Sequence, residues 1–216
     1  MLWNRRRARG FASERDRLRY AAAHGLLRRL LGAALDEPAL ALVFKYGPRG
    51  KPMIATPRPL GLPTLHFNLS HSEGWAMFAL AWNREVGIDL EAATRLGDER
   101  TLSELAPYVL SARELAIWRA LPNTSARRTA LLRAWTRKEA YAKATGEGVF
   151  DGLREIEPAL DAASPKASLL VCSSQRDGHA TSAWTIHELA APEGFAAALA
   201  IEQNSRKERV YRGRAR

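Results

Sequence analysis

The chain has almost no cysteine and no long apolar run. Cys172 is the only cysteine among 216 residues, so neither an intramolecular disulfide nor a thiolate metal cluster can form. No stretch approaches the roughly 20 apolar residues of a membrane helix. The arginine-rich start continues into further charged residues, whereas a secretory signal would continue into an apolar core. We therefore expect a cytoplasmic protein without a membrane partner.

Acidic residues are scarce relative to basic ones. Lys and Arg number 33 against 23 Asp and Glu, which gives a formal net charge of +10. Such a surface attracts phosphates, nucleic acids, anionic membranes or acidic proteins. The length and the hydrophobic fraction of 46% suit one mid-sized globular domain or two small fused ones. The positive charge therefore favours a negatively charged partner but does not decide among these classes.

Periodicity predicts an α+β fold. Helices are predicted over 14–34, 99–109, 111–121 and 125–145, the third with Ser111 and Glu114 as a capping box. Strands are predicted over 66–70, 75–82, 86–91, 167–172, 182–189 and 195–202, with a hairpin between the second and third. Segments 46–52 and 57–63 are predicted loops and 204–216 a frayed tail. A long helix followed by strands occurs before Trp82 and again after Leu132, which indicates a coarse repeat.

Several common catalytic motifs are missing. The spacing of Gly47 and Gly50 is too short for a phosphate-binding Walker loop, and Pro52 replaces its Ser or Thr. The hydrolase motif Gly-x-Ser-x-Gly is absent. Ser70 and His71 are neighbours on a predicted strand and point to opposite faces, so they are poorly placed as nucleophile and base. No His and Cys residues have zinc-site spacing.

Three acidic residues lie on elements that are predicted to pack. Asp89 and Glu91 alternate on one strand and project from the same face. Glu139 lies in the middle of a partly apolar helix face, with Lys143 one turn later. Taken singly, the two strand acids would indicate only a solvent-facing strand, and the helix pair only a surface Glu–Lys ion pair. Together they favour oxygen coordination of a hard cation, for which Mg²⁺ shared with substrate phosphates is the usual form.

Other groups have the chemistry to bind phosphate. Lys51 follows a tight turn and offers a point charge, and Ser70 and His71 offer hydrogen-bond donors. The alternatives are an ordinary exposed turn lysine, a capping serine and a structural histidine. The residues alone leave both interpretations open.

Four segments resemble, in order and spacing, the 4′-phosphopantetheinyl transferases of the surfactin-activating type, and the resemblance spans about residues 15–148. They are Gly50-Lys51-Pro52, Phe67-Asn68-Leu69-Ser70-His71-Ser72, Val86-Gly87-Ile88-Asp89-Leu90-Glu91, and the helix from Trp135 to Gly146. The resemblance implies a pseudo-twofold α+β fold of two similar halves, each with a small antiparallel sheet packed on a long helix. The halves would cover 1–82, with coenzyme A-binding loops, and 83–216, with the metal site and carrier contact. The active site would lie in the cleft between them.

The resemblance also implies a reaction. The phosphopantetheine arm of coenzyme A would move to a serine of an apo acyl or peptidyl carrier protein, releasing adenosine 3′,5′-bisphosphate. Asp89, Glu91 and Glu139 look like Mg²⁺ ligands, and Glu139 also looks like the base. The groups that look like coenzyme A contacts are Arg19, Lys51, Pro52, Ser70, His71 and Lys143, with Lys143 steadying the phosphate under attack. An acidic carrier would suit the positive charge, and a cleft completed within one chain predicts a monomer.

Members of this family usually carry a longer segment, including a first strand, before the helix that holds Arg19. Here only a short basic leader precedes that helix. We expect Arg5, Arg6 or Arg7 to supply the basic contacts of that segment, or else a less complete first half.

Two other interpretations compete with this one. A nucleic-acid-binding module would explain the charge and the arginine-rich ends. It predicts exposed aromatics between basic residues, whereas most aromatics here lie in apolar strands or helix faces, and it leaves the three acids without a role. A homologue that binds coenzyme A without turnover is the other; the intact Asp89, Glu91, Glu139 and Lys143 argue against it.

Overall fold

The computed structural model describes residues 13–56, 59, 61–146, 168–171 and 183–203. In that part of the chain the elements are α1 (Glu14–Leu35), β1 (Phe44–Tyr46), β2 (Pro52–Ile54), β3 (Leu65–Ser72), β4 (Trp75–Trp82), β5 (Val86–Ala92), a 3₁₀ turn (Ala93–Leu96), α2 (Glu99–Val109), α3 (Ala112–Arg119), α4 (Thr124–Thr145), β6 (Ser168–Val171), β7 (Ala183–Leu189) and β8 (Phe195–Glu202). The predicted α+β class is confirmed. No described helix combines the length and apolarity needed to cross a bilayer.

Three antiparallel sheets pack with two long helices. Strands β1–β2 and β3–β4 form hairpins, and the third sheet has the order β5–β8–β7–β6. Leu27 and Leu31 of α1 share a buried cluster with Phe67 of β3. Tyr141 of α4 shares another with Trp184 of β7. Each long helix, 22 residues in both cases, therefore packs with a small sheet.

Local caps explain why the helix predictions agree closely with the structure. The capping box of Ser111 and Glu114 is present at the start of α3. Asn123 caps α4 by accepting a hydrogen bond from the Ala126 N–H at 2.8 Å, and Gly146 ends that helix in the left-handed region with φ 73°. These signals depend on residues a few positions apart.

The predicted hairpin between 75–82 and 86–91 is wrong. Strand β5 pairs with β8 in the sheet, with Val86 opposite Ile201. Asn83 adopts φ 55° and exchanges two hydrogen bonds with Thr64, one from each backbone N–H. This closes the open end of the β3–β4 hairpin and turns the chain away from β4.

The predicted loop at 46–52 is confirmed as the turn of a hairpin, but its two strands, β1 and β2, were not predicted. Its ends belong to β1 and β2, and Gly47 N–H donates to the carbonyl of Lys51 within the turn. The predictions for 167, 172, 182 and 204–216, and for part of 57–63, lie outside the described residues.

Candidate active site

Strand β5 and helix α4 approach each other closely at Gly87. A Cβ atom at this position would lie 2.1 Å from the carbonyl oxygen of Ala140 and 2.4 Å from the backbone nitrogen of Ala144. Only a residue without a side chain fits. Because alternate residues of a strand share a face, Asp89 and Glu91 project on the same side as Gly87. The close approach therefore brings both acids toward α4.

The centre of the site is a buried cluster around Asp89. This carboxylate is 1% exposed, and its Oδ1 accepts hydrogen bonds from Lys143 Nζ at 2.5 Å and Ser70 Oγ at 2.9 Å. Its Oδ2 is buried and has no hydrogen-bond partner among the described residues. Glu139, one helical turn before Lys143, is 7% exposed.

The three carboxylates influence one another electrostatically. Burial, with a further contribution from the charges of Asp89 and Glu91, raises the pKa of Glu139 to about 7 against the opposing charges of Lys143 and Arg95. Burial also raises the pKa of Glu91, and the charge of Asp89 adds to that effect. Burial and neighbouring negative charge therefore disfavour the ionised forms of Glu91 and Glu139.

Donor chemistry and charge fit a hard divalent cation. Asp89, Glu91 and Glu139 provide the oxygen ligands that Mg²⁺ prefers, and the unpartnered Oδ2 of Asp89 would gain a partner. Within the described residues, however, no group of three or more His, Cys, Asp or Glu side chains is arranged so as to hold a metal ion. The residues thus suit such a cation chemically without forming a ready-made site.

Side chains of β3 occupy the edge of β5 that β8 leaves free. The backbone N–H groups of β5 donate to alternate residues of β3, and these hydrogen bonds are Ile88 to Asn68 Oδ1 at 2.9 Å, Leu90 to Ser70 Oγ at 3.2 Å, and Ala92 to Ser72 Oγ at 3.1 Å. A neighbouring strand would normally satisfy such donors with carbonyl groups. Side-chain oxygens here take that role and join the two sheets. We call this set the β3 ladder.

A cavity of about 190 Å³ lies between α1, the β1–β2 turn and β3. Its lining includes Tyr20, Gly50, Pro52 and His71. The ring of His71 packs edge-on to Tyr20, with 6.1 Å between centroids. Burial lowers the pKa of His71, and the charge of Lys143 lowers it further, so the imidazole is held in its neutral form near neutral pH.

Arg19 and Lys51 differ in what holds them. Arg19 packs its guanidinium against the β3–β4 turn at Gly74. The ammonium of Lys51 contacts the carbonyl of Ala144 and donates to Glu85 Oε2 at 2.5 Å, with its side chain 14% exposed. Lys51 therefore joins the β1–β2 turn to the last turn of α4.

Glu85 is a half-buried partner that the sequence did not reveal. Burial alone would raise the pKa of Glu85, but hydrogen bonds from His66 and Lys51 lower it to about 2. Arg95 was also missed; it donates to both oxygens of Glu91, at 2.9 and 3.1 Å. Its position four residues after Glu91 was the available signal.

A buried ion pair lies next to Glu139 along α4. Lys138 is 0% exposed, and its Nζ donates to Glu114 Oε2 at 2.5 Å and to the carbonyl of Val109 at 2.8 Å. This pair ties α4 to α3 and to the end of α2. The Ser111 capping box marked Glu114 as structural, but nothing in the sequence pointed to Lys138.

The structure gathers most of the predicted site residues. Those that meet in one cluster are Ser70, Asp89, Glu91, Glu139 and Lys143, whereas Pro52 and His71 border the cavity. Arg19 lies beside the β3–β4 turn, and Lys51 lies at the end of α4. Arg5, Arg6 and Arg7 lie outside the described residues.

Comparison with protein families gives the same assignment for both parts of the chain. The 4′-phosphopantetheinyl transferase superfamily matches residues 85–200, and the N-terminal region of 4′-phosphopantetheinyl transferases matches residues 3–83. The chain belongs to the 4′-phosphopantetheinyl transferase superfamily. It is therefore a transferase that moves 4′-phosphopantetheine from coenzyme A to carrier proteins.

Individual relatives support the family and leave the subtype open. The chain is 36% identical over 195 residues to the 4′-phosphopantetheinyl transferase HetI of a Nostoc species, covering 90% of this chain and 75% of HetI. A putative 4′-phosphopantetheinyl transferase of a Synechocystis species is 32% identical over 73% of this chain and 62% of its own length. The 4′-phosphopantetheinyl transferase gsp of Aneurinibacillus migulanus is 27% identical over 65% of this chain and 53% of its own length. The surfactin-activating subtype is not confirmed by likeness at that level.

Proposed function

We propose that this transferase modifies the serine of an apo acyl or peptidyl carrier protein, with Asp89, Glu91 and Glu139 holding Mg²⁺. The observation that supports the proposal is the electrostatic coupling of Glu139 to Asp89 and Glu91 beside Lys143. Lys143 pairs with Asp89 Oδ1, and Asp89 Oδ2 has no partner among the described residues. When bound, the metal ion would neutralise charge on the pyrophosphate of coenzyme A.

Glu139 is the proposed general base. Without a metal ion the pKa of Glu139 is about 7; a bound Mg²⁺ would lower this pKa, and the ionised carboxylate would then be the proton acceptor. The carrier serine hydroxyl gives its proton to this carboxylate, and its oxygen forms a bond to the phosphorus that bears pantetheine. The bond from that phosphorus to the departing oxygen breaks, and adenosine 3′,5′-bisphosphate leaves.

Lys143 is the proposed contact to the phosphate under attack. Its side chain is 28% exposed, so its ammonium can donate to a ligand while it remains beside Asp89. A fixed cation beside the reacting phosphate stabilises the charge that develops there.

The remaining coenzyme A contacts are proposed around the cavity between α1, the β1–β2 turn and β3. His71 would donate to the phosphates from one wall, with Arg19 nearby at the β3–β4 turn. Pro52, which lines the same cavity, would lie by the adenine nucleotide. Lys51 would lie there too, and a phosphate would compete with Glu85 for its ammonium.

We further propose a monomer of the surfactin-activating type that works in the cytoplasm on acidic carriers. The net charge of +10 supports the choice of an acidic partner. The single cysteine supports a reducing compartment. The proposed halves are 1–82 and 83–216, with the active site between them.

Intact-mass spectrometry of an apo carrier protein tests the proposal. Incubation with the full chain, coenzyme A and Mg²⁺ should add one phosphopantetheine to the carrier, and EDTA should prevent the addition. Glu139→Gln should abolish transfer, whereas Glu104→Gln, which changes an acid that is 63% exposed on α2, should not. Transfer in EDTA would contradict the metal assignment, and full activity of Glu139→Gln would contradict the base.

A further inference from the structure

The hydroxyl of Ser70 in the β3 ladder makes two different kinds of hydrogen bond to β5. It accepts from the backbone N–H of Leu90 at 3.2 Å. It also donates to Oδ1 of Asp89, the residue just before, at 2.9 Å. The hydroxyl thus connects the carboxylate to the backbone of the strand that carries it.

Ser72 repeats this arrangement two residues later. Its Oγ accepts from the backbone N–H of Ala92 at 3.1 Å and donates to Oε2 of Glu91 at 3.0 Å. Since both β3 and β5 advance by two residues between the two serines, the side chains lie on matching faces of the two strands. The sequence pattern Ser-x-Ser on β3 therefore matches Asp-x-Glu on β5.

Hydrogen-bonding capacity restricts what Ser70 can do besides this. A hydroxyl has one donor and two acceptor positions. The Ser70 hydroxyl donates to Asp89 and accepts from the Leu90 N–H. It also accepts from Lys143 Nζ, which lies 3.1 Å away. All three positions are used within the described residues, so Asp89, Leu90 and Lys143 together fix the Ser70 hydroxyl.

We propose that Ser70 and Ser72 are positioning residues that orient the two β5 carboxylates for the metal ion. This inference rests on the proposed function, because the ion is the one proposed there. A hydrogen bond that fixes one oxygen of a carboxylate restricts its rotation and leaves the other oxygen to the ligand; in Asp89 that other oxygen is the buried Oδ2 without a described partner.

The third member of the ladder provides an internal control. Asn68 accepts from the backbone N–H of Ile88 at 2.9 Å, which is the same kind of link between the sheets. The residue that corresponds in register to Asp89 and Glu91 is Gly87, which has no side chain to orient. Loss of the Asn68 amide should therefore weaken the join of the sheets without changing the direction of a carboxylate.

The test compares Ser72→Ala, Ser72→Thr and Asn68→Ala in the full chain. Ser72 is preferred to Ser70 because it does not also contact Lys143. Mg²⁺ binding is measured by isothermal titration calorimetry with coenzyme A present and no carrier, and thermal unfolding is followed in EDTA. The Mg²⁺ concentration that gives half-maximal transfer is measured in parallel.

Ser72→Ala should weaken Mg²⁺ binding by about tenfold, the lower end of the effect of losing a hydrogen bond to a metal ligand. Ser72→Thr keeps the hydroxyl and should restore most of the affinity. Asn68→Ala should lower the unfolding temperature about as much as Ser72→Ala and leave Mg²⁺ affinity within about twofold of the wild type.

Three results would overturn the inference. Unchanged Mg²⁺ affinity in Ser72→Ala would sink it while leaving the proposed function intact. An equal loss of affinity in Asn68→Ala would show that the serines only join the sheets. Absence of Mg²⁺ binding by the wild-type protein would remove the proposed metal site and this inference together.

Discussion

Removing the charge of Lys138 should destabilise the protein more than an average substitution does. Its ammonium is 0% exposed and pairs with Glu114, which is 4% exposed, at 2.5 Å. Lys138→Met keeps an unbranched side chain but leaves the Glu114 carboxylate buried without its cation. Breaking such a pair costs about 3–5 kcal/mol of unfolding free energy, and solvent screening does not reduce the figure because neither group faces water.

Chemical and thermal unfolding measure this loss. For a chain of this size each kcal/mol lowers the midpoint by about 2–4 °C, so we expect a decrease of about 6–20 °C. A double variant, Lys138→Met with Glu114→Gln, removes both charges and should recover much of the stability. The control Arg100→Met breaks an exposed pair with Glu104, 86% and 63% exposed, and should cost less than about 1 kcal/mol.

The reasoning fails if Lys138→Met costs less than about 1 kcal/mol, or if the double variant is as unstable as the single one. Either outcome would mean that packing, and not the buried charge, dominates this position. Since Lys138 precedes Glu139 on α4, transfer should decrease in the single variant and recover in part in the double variant.

The other predictions concern the contacts that surround the acids. Gly87→Ala forces a Cβ to within 2.1 Å of the Ala140 carbonyl oxygen, so it should cost about 2 kcal/mol of stability and reduce transfer more than tenfold. Gly25→Ala, where a Cβ meets no atom within 4 Å, is the control, and a stable, active Gly87→Ala would contradict the close approach. Burial raises the pKa of Glu139 from 4.5 to about 7, so in EDTA its contribution to stability should be complete below about pH 4.5 and disappear as pH rises through 7. The free energies of unfolding at pH 5 and pH 8 should therefore differ less in Glu139→Gln than in the wild type, and an equal difference in both proteins would refute this. Hydrogen bonds lower the pKa of Glu85 to about 2, so its contribution to the free energy of unfolding is present above about pH 4.5 and lost as pH falls toward 2. Between these pH values the stability of Glu85→Gln should therefore fall less than that of the wild type, and an equal fall would contradict the pairing.

Features governed by nearby residues could be predicted from the sequence. The helix ends are examples, because Ser111 and Gly146 act on backbone groups within one turn. The partner of β5 could not be predicted in this way. It is β8, more than 100 positions later, and local patterning does not specify a pairing over that distance. The residue type of Asn83 was a local hint, because asparagine tolerates the left-handed conformation that it adopts here.

The site residues likewise divide into those that local patterns predicted and those that depend on contacts between distant segments. Strand alternation predicted that Asp89 and Glu91 share a face, and that inference needed only β5. The phosphate contact suggested for Ser70 came from the resemblance and stays a prediction. The hydrogen bonds of Ser70 to Asp89 and Leu90 depend on how β3 lies against β5, which the local pattern did not specify. Lys51 was predicted as a cation near the substrate, but its pairing with Glu85 required the two segments to meet.

The acids are therefore held by contacts from two sides of β5. The close approach at Gly87 fixes the distance to α4, which carries Glu139 and Lys143, and the β3 ladder fixes the other edge of the strand. A change on one side moves the acids relative to the groups on the other. Because the geometry depends on both contacts, we infer that residues before and after Asn83 act together to form the site, although all three carboxylates come after it.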